Sequence, residues 1–168
     1  MHVLYLLSVW IHILAAITWV GGMGFLMLVV VPWLRTADRL VAARLMRDTG
    51  RRFRTVGWAC FGIVLVTGSF NLWVRGVRLE SFADAQWRGS PFGEAVQWKL
   101  AVFALVLVLS VVHDFFIGPG ASAAQQRAPG SAEADRMRRL ASWMGRGNAL
   151  LALVLVALAV ALVRGWPW

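Results

Sequence analysis

Cysteine is almost missing: Cys60 is the only one among 168 residues, which excludes an intrachain disulfide and any CxxC metal or redox motif. Its position inside an apolar run makes it a small core residue. Acidic side chains are scarce too, eight against seventeen basic ones, and they lie mainly between the apolar runs, without the spacing of a paired general acid and base. No HExxH, P-loop, GxSxG or CxxCH haem-attachment sequence is present, which argues against a hydrolase or a nucleoside triphosphatase. The first apolar run has no basic segment before it and no small-x-small cleavage site after it, so it reads as a retained span rather than a signal peptide. No internal repeat is evident.

What fills the chain instead is apolar. Hydrophobic residues make up 60% of it and the mean hydropathy is +0.68, more than one small soluble core can use. Four runs reach spanning length, roughly 4–34, 56–74, 96–117 and 148–163,. The expected fold is all-α, a polytopic membrane protein whose single domain, 1–168, is a four-transmembrane-helix bundle in a bacterial-type inner (plasma) membrane.

Charge orients that bundle. A formal net charge of +9 would point to nucleic acid in a soluble protein, but here the arginines gather between spans. Arg35, Arg39, Arg44, Arg47, Arg51, Arg52 and Arg54 follow the first span, and Arg127, Arg136, Arg138, Arg139 and Arg146 the third. The middle connection has only Arg75, Arg78 and Arg88, offset by Glu80, Asp84 and Glu94. The pattern sets topology and meets anionic lipid headgroups, with no nucleic-acid role. It places the basic segments 35–55 and 118–147 in the cytoplasm, N-out and C-out. In the first, a short amphipathic helix is expected, with Thr36 as N-cap, Leu40, Val41 and Leu45 on one side, and Gly50 as its stop. In the second, Gly118, Pro119 and Gly120 should break the helix, which restarts near Ser131. Phe82, Trp87 and Phe92 of the middle connection read as an interfacial anchor, with a lid as the alternative.

Polar residues inside spans are costly and mark candidate function. Ser8, His12, Ala15, Trp19, Gly22 and Met23 recur at three or four residues and form one bundle-facing stripe. Trp19 either packs the core or walls a flat ligand, and the small residues admit a neighbouring helix. His12 reads as a satisfied core histidine or as a ligand to haem iron or another metal. Lys99, Phe103, Val106, Ser110, His113 and Asp114 track one side of the third helix. Lys99 either snorkels to the surface or turns inward as counter-ion or ligand. His113 and Asp114, as sequence neighbours, are not expected to face each other. Helical rise puts His12 and His113 roughly 13 Å apart in depth, too far to share one ion. Thr67 and Asn71 suggest interhelical hydrogen bonds. Met23 and Met27 offer thioethers to Cu(I), or packing, and Met1 with His2 could join a metal entry site.

The stretch "WIHILAAITWVGGMGFLMLVVVP", with "RRFRTVGWACFGIVLVTGSFNL", "VQWKLAVFALVLVLSVVHDFFIGP" and a final apolar helix in that order, resembles the copper-resistance D (CopD) family over most of the chain. The layout is also similar to the HemJ-type protoporphyrinogen oxidases, in which a first-helix histidine and a lysine opening the third helix matter for function and haem binding. Those roles would fall on His12 and Lys99, with His113 matching a histidine late in the third helix. Gly21-Gly22 and the ending "VVVPWLR" depart from the HemJ pattern and lean toward CopD.

The resemblance implies either copper movement or a haem-dependent redox step. His12, Trp19, Gly22 and Lys99 suit b-type haem, with His12 as axial ligand, Lys99 as functional sixth ligand or propionate partner, and His113 as a further cofactor residue. The activity expected is electron transfer or oxidation of a small membrane-soluble substrate. The alternatives are copper transport through His12, Met23 and Met27, and a non-catalytic membrane subunit. Glycine-lined faces allow a homodimer, and membrane lipid is the surrounding partner.

Overall fold

In the computed structural model, described for residues 1–34, 36–128 and 130–165, helix α1 (His2–Phe25) runs through a π-helical turn (Leu26–Val30) into a short α2 (Val31–Leu34). Helix α3 (Arg39–Val74) follows, then a 3-10 turn (Leu79–Phe82), α4 (Ala85–Arg88), α5 (Pro91–Val111), a second π turn (Val112–Ile117), α6 (Gly118–Arg127) and α7 (Ala132–Arg164). Arg35 and the side chains of Arg39 and Leu40 lie outside the described residues. Four rods, His2–Leu34, Val41–Val74, Pro91–Arg127 and Ala132–Arg164, are long and apolar enough to cross a membrane, and the described residues contain no strand. The chain is an all-α, multi-pass membrane protein.

Both π turns sit just before a proline. The Gly118 N–H donates to the His113 carbonyl and the Val31 N–H to the Leu26 carbonyl, each five residues back. The next donors in that register would be Pro119 and Pro32, which carry no N–H. Widening the turn therefore seats each ring and leaves the Asp114 and Met27 carbonyls without that main-chain partner. This is why Gly118, Pro119 and Gly120 do not break the rod as expected: the helix resumes and ends at Arg127.

The first basic segment also departs from expectation. Gly50 does not stop a helix; α3 runs through it for 36 residues, because an interior glycine costs only about 1 kcal/mol relative to alanine. Thr36 is not the N-cap. Its hydroxyl donates back to the Trp33 carbonyl (2.8 Å), and the Asp38 carboxylate accepts the Val41 N–H (3.3 Å),. Ser131 does restart the chain, accepting from the Ala134 N–H at 3.2 Å, with Glu133 and Asp135 in the favourable first turn,. Helix α3 closes on Gly76 (φ +84°): Val77 N–H reaches the Leu72 carbonyl and Gly76 N–H that of Trp73, both at 3.0 Å. This left-handed cap turns the chain back at the membrane surface.

At 1.5 Å per residue α3 is about 54 Å long against roughly 30 Å of hydrocarbon, so its arginine-rich first turns extend beyond the membrane. Helix α1 packs along α3 and α5 along α7, and the two pairs approach each other less closely. One core joins all four spans: Ala15, Trp19 and Met23 of α1, Cys60 and Phe61 of α3, Val106 of α5 and Ala152 of α7. Outward faces are apolar; Leu28 and Val66 are 78% and 69% exposed, tolerable only where the solvent is lipid.

Candidate functional site

Two polar centres lie on either side of this core. The first is at the end carrying the 75–90 connection, the outer end under the charge-based topology. One turn of α3 brings Thr67, Gly68 and Asn71 opposite Ser8 and His12 of α1. The Ser8 hydroxyl donates to the Thr67 carbonyl at 3.4 Å, and His12 Nδ1 lies 2.9 Å from Thr67 Oγ1. The Thr67 hydroxyl also lies 2.6 Å from the Ile63 carbonyl, which can only accept. Its single proton is thus committed to Ile63, so His12 Nδ1–H is the donor to Thr67. The lone pair of His12 is then on Nε2, on the far side of the ring. Gly68 permits this placement, because a Cβ there would lie 3.3 Å from His12 Cε1.

Lys99, the only lysine of the chain, joins this centre from α5. It stands eight residues inside the helix, half-buried, and makes no hydrogen bond or ion pair among the described residues. Its charge acts on His12, and that of Arg75 acts on Lys99. Arg75 Nε donates to the Tyr5 hydroxyl at 3.1 Å, with its guanidinium 5.6 Å over the Phe92 ring. The buried Asn71 Oδ1 has no hydrogen-bond partner among the described residues. Among the described residues, an imidazole with an unused nitrogen, a lysine and an orphan acceptor therefore lie in this end of the bundle, with Arg75 about two turns further out, at the level of Tyr5 and Phe92,.

The second centre lies at the opposite end, in and beside the π turn of Val112–Ile117. The Asp114 carboxylate accepts from Trp58 Nε1–H at Oδ2 (3.1 Å), and its Oδ1 lies 2.9 Å from His113 Nδ1. The expectation that His113 and Asp114 do not face each other is thus overturned: a π turn narrows the angle between successive side chains, so neighbours meet. Arg54 Nη1 donates to the Asp114 carbonyl at 3.0 Å, supplying the donor that Pro119 lacks, and its guanidinium lies 5.6 Å over Phe115. Asn148 Nδ2 donates to Ser110 Oγ at 2.9 Å, while its Oδ1 is buried without a partner among the described residues.

Between the centres the core is packed with aromatic and aliphatic side chains. Trp19 meets Phe61 edge-on at 4.9 Å, Phe61 meets Phe103 at 6.0 Å, and Val106 is fully buried. Counted from the starts of α1 and α5, His12 and His113 lie about 15 and 33 Å down their helices. They belong to separate centres. Trp19 and Met23 are core residues, and Cys60 is buried as expected. Gly22 faces the Phe53 ring rather than His12; the glycine beside His12 is Gly68. Met27 lies in the first π turn, half-buried. His12 and Met23 are separated by about 16 Å of helix, against metal–ligand bonds of roughly 2 Å, so they cannot hold one ion. Among the described residues no group of three His, Cys, Asp or Glu converges. Arg75 and Tyr5 were missed as site residues, and Gly68 was read only as a glycine near the Thr67 and Asn71 pair. The Thr67 and Asn71 pair was the one signal pointing to that layer.

Fold and polar centres define the class: a four-helix, multi-pass membrane protein with ionisable groups sequestered in its bundle. The profile of the family described as Copper resistance protein D (CopD) matches residues 47–163, and the chain belongs to that family. The match starts within α3 and includes Lys99 and His113 but not His12. The chain is also similar to an uncharacterized protein of Aquifex aeolicus (strain VF5), 29% identical over 162 residues, 95% of this chain and 96% of the relative. No solved structure matches it.

Proposed function

We propose that the outer centre binds b-type haem and that the protein carries out electron transfer or oxidises a small membrane-soluble substrate. The observation that carries this reading is the His12 imidazole locked by Thr67 with Nε2 free, beside the only lysine. An axial histidine ordinarily donates its other ring N–H to a fixed acceptor, which sets the tautomer. His12 has that arrangement before any ligand arrives. Lys99 and Arg75 supply positive charge for the two propionates, or Lys99 takes the sixth position. Gly68 leaves room at the ring, and Asn71 Oδ1 can accept from a ligand donor. When bound, haem supplies one-electron chemistry; the chain orients it, sets its charge environment and keeps water from the adjacent core.

The second reading is copper transport, favoured by the family's description and by the thioethers of Met23 and Met27. Two features weigh against it at His12. The charge of Lys99 opposes a cation there, and no soft ligand follows within a turn of α1. A non-catalytic subunit is the third reading, and it requires a colourless, metal-free protein.

Haemin titration of the purified protein in mild detergent, with copper uptake into proteoliposomes measured in parallel, tests the proposal. The expected result is a Soret shift that saturates at one haem per chain, is lost in His12→Ala and weakened in Lys99→Met, and no copper uptake. Copper uptake that fails in Met23→Leu with Met27→Leu, in a protein that ignores haemin, would overturn it.

A further inference from the structure

The helices that form the outer centre separate on their lipid side at the opposite, basic end. There a groove of about 340 Å³ opens between α1 and α3, lined by Thr18, Gly22, Phe25, Leu26, Phe53, Val56 and the polar pair Thr49 and Arg52. Thr18 spends its hydroxyl on the Leu14 carbonyl, and from there to Leu26 the walls are otherwise apolar over about 12 Å of helix, close to the roughly 15 Å that one leaflet contributes to the hydrocarbon core. Its basic end carries the exposed Arg52 guanidinium, which makes no hydrogen bond or ion pair among the described residues.

The groove is a built feature rather than a gap between ill-fitting helices. At Gly22 a Cβ would lie 2.5 Å from the Phe53 ring, so only glycine lets that ring lie against α1. At the lower end α1 enters its π turn at Leu26, which redirects the chain beside the groove. The result is an apolar slot one leaflet deep with an unneutralised cation at its mouth. A neutral lipid would fill the slot and leave Arg52 unmatched; a free anion would match Arg52 and leave the slot empty.

We infer that this groove is a binding site for an anionic phospholipid of the leaflet entered by the basic helix ends, one acyl chain lying between α1 and α3 and its phosphate on Arg52. The inference is independent of the haem reading, since it uses the opposite end of the α1–α3 pair and different residues. Arg52 gives the site its preference for negative charge, and Thr49 can donate to the same headgroup. Gly22 and Phe53 give it its shape.

The test uses the full chain in mild detergent, stripped of lipid, then titrated with phosphatidylglycerol or phosphatidylcholine and read by native mass spectrometry. Phosphatidylglycerol should be retained about five-fold more than phosphatidylcholine, the preference one basic residue near a membrane surface confers. Arg52→Gln should abolish the preference, whereas Arg44→Gln, which removes the same charge elsewhere on α3, should leave it. Val56→Trp, which fills the slot from its lipid-facing wall, should lower retention of both lipids while thermal unfolding stays cooperative. Equal retention of the two lipids by the wild type would overturn the inference. So would equal effects of Arg52→Gln and Arg44→Gln, which mean diffuse surface charge, or displacement by millimolar inorganic phosphate, which means a free-anion site.

Discussion

Thr67→Val keeps the shape of the side chain and deletes one hydroxyl, which makes it the sharpest probe of the outer centre. In the wild type that hydroxyl accepts from His12 Nδ1–H at 2.9 Å and spends its own proton on the Ile63 carbonyl. The Ile63 carbonyl lies within α3 and keeps its main-chain partner in the variant, so little is lost there. The His12 donor loses the Thr67 oxygen and keeps only the Val64 carbonyl nearby. Cross-helix hydrogen bonds in membranes average about 0.6 kcal/mol and reach about 1.7, and an unpaired buried donor costs about 1–3 kcal/mol. The fold should therefore lose about 1–2 kcal/mol. Binding should suffer more. Partners that orient a ligating histidine are worth about 10- to 100-fold in affinity, or ~1.4–2.7 kcal/mol. Haemin titration by Soret absorbance, with thermal unfolding in the same detergent, measures both. Thr67→Ser retains the hydroxyl and should bind nearly as the wild type does. Wild-type affinity in Thr67→Val, or Thr67→Ser binding as poorly as Thr67→Val at equal stability, would refute the tautomer argument.

Three further outcomes follow from the same geometry. Asp114→Leu removes both acceptors, so Trp58 Nε1–H and His113 lose their partner; the thermal midpoint should fall by the equivalent of about 1–3 kcal/mol, and an unchanged midpoint would contradict these hydrogen bonds. In a Pro119→Ala background the Asp114 carbonyl regains a main-chain donor, so Arg54→Gln should cost about 0.5–1.5 kcal/mol less than in the wild type; a double-mutant cycle with no coupling would show that Arg54 does not serve that carbonyl. Gly68→Val should press on His12 Cε1 and weaken haemin binding while helix content by circular dichroism stays constant; undiminished binding would remove Gly68 from the site.

The helical periodicity of α1 carried most of what could be read in advance. Ser8, Ala15, Trp19 and Met23 recur at three- and four-residue steps and are its buried residues; Val106 and Ser110 of α5 behave alike. Thr67 was legible as an interhelical hydrogen bonder because a polar residue in hydrocarbon must find a partner. What stayed hidden depends on local departures from the 3.6-residue period. A reading that assumes α-helical spacing separates His113 from Asp114, ends the third rod at Pro119 and cannot supply Arg54 as a surrogate donor. The π turn changes all three. The influence of Arg75, held by Tyr5, on Lys99 was hidden for another reason: it joins residues far apart in the chain, and nothing in the sequence near any one of them records it. Gly68 faced the same limit, since a glycine notch is defined by the side chain that fills it.

The haem reading stands or falls on one absorption spectrum. Protein expressed with haem supplied, purified in mild detergent, should show a Soret band as isolated that shifts on dithionite reduction. The band should be absent from an equally well folded His12→Ala variant. A colourless wild type with stoichiometric copper in the same sample would contradict it, and so would a Soret band that His12→Ala leaves unchanged.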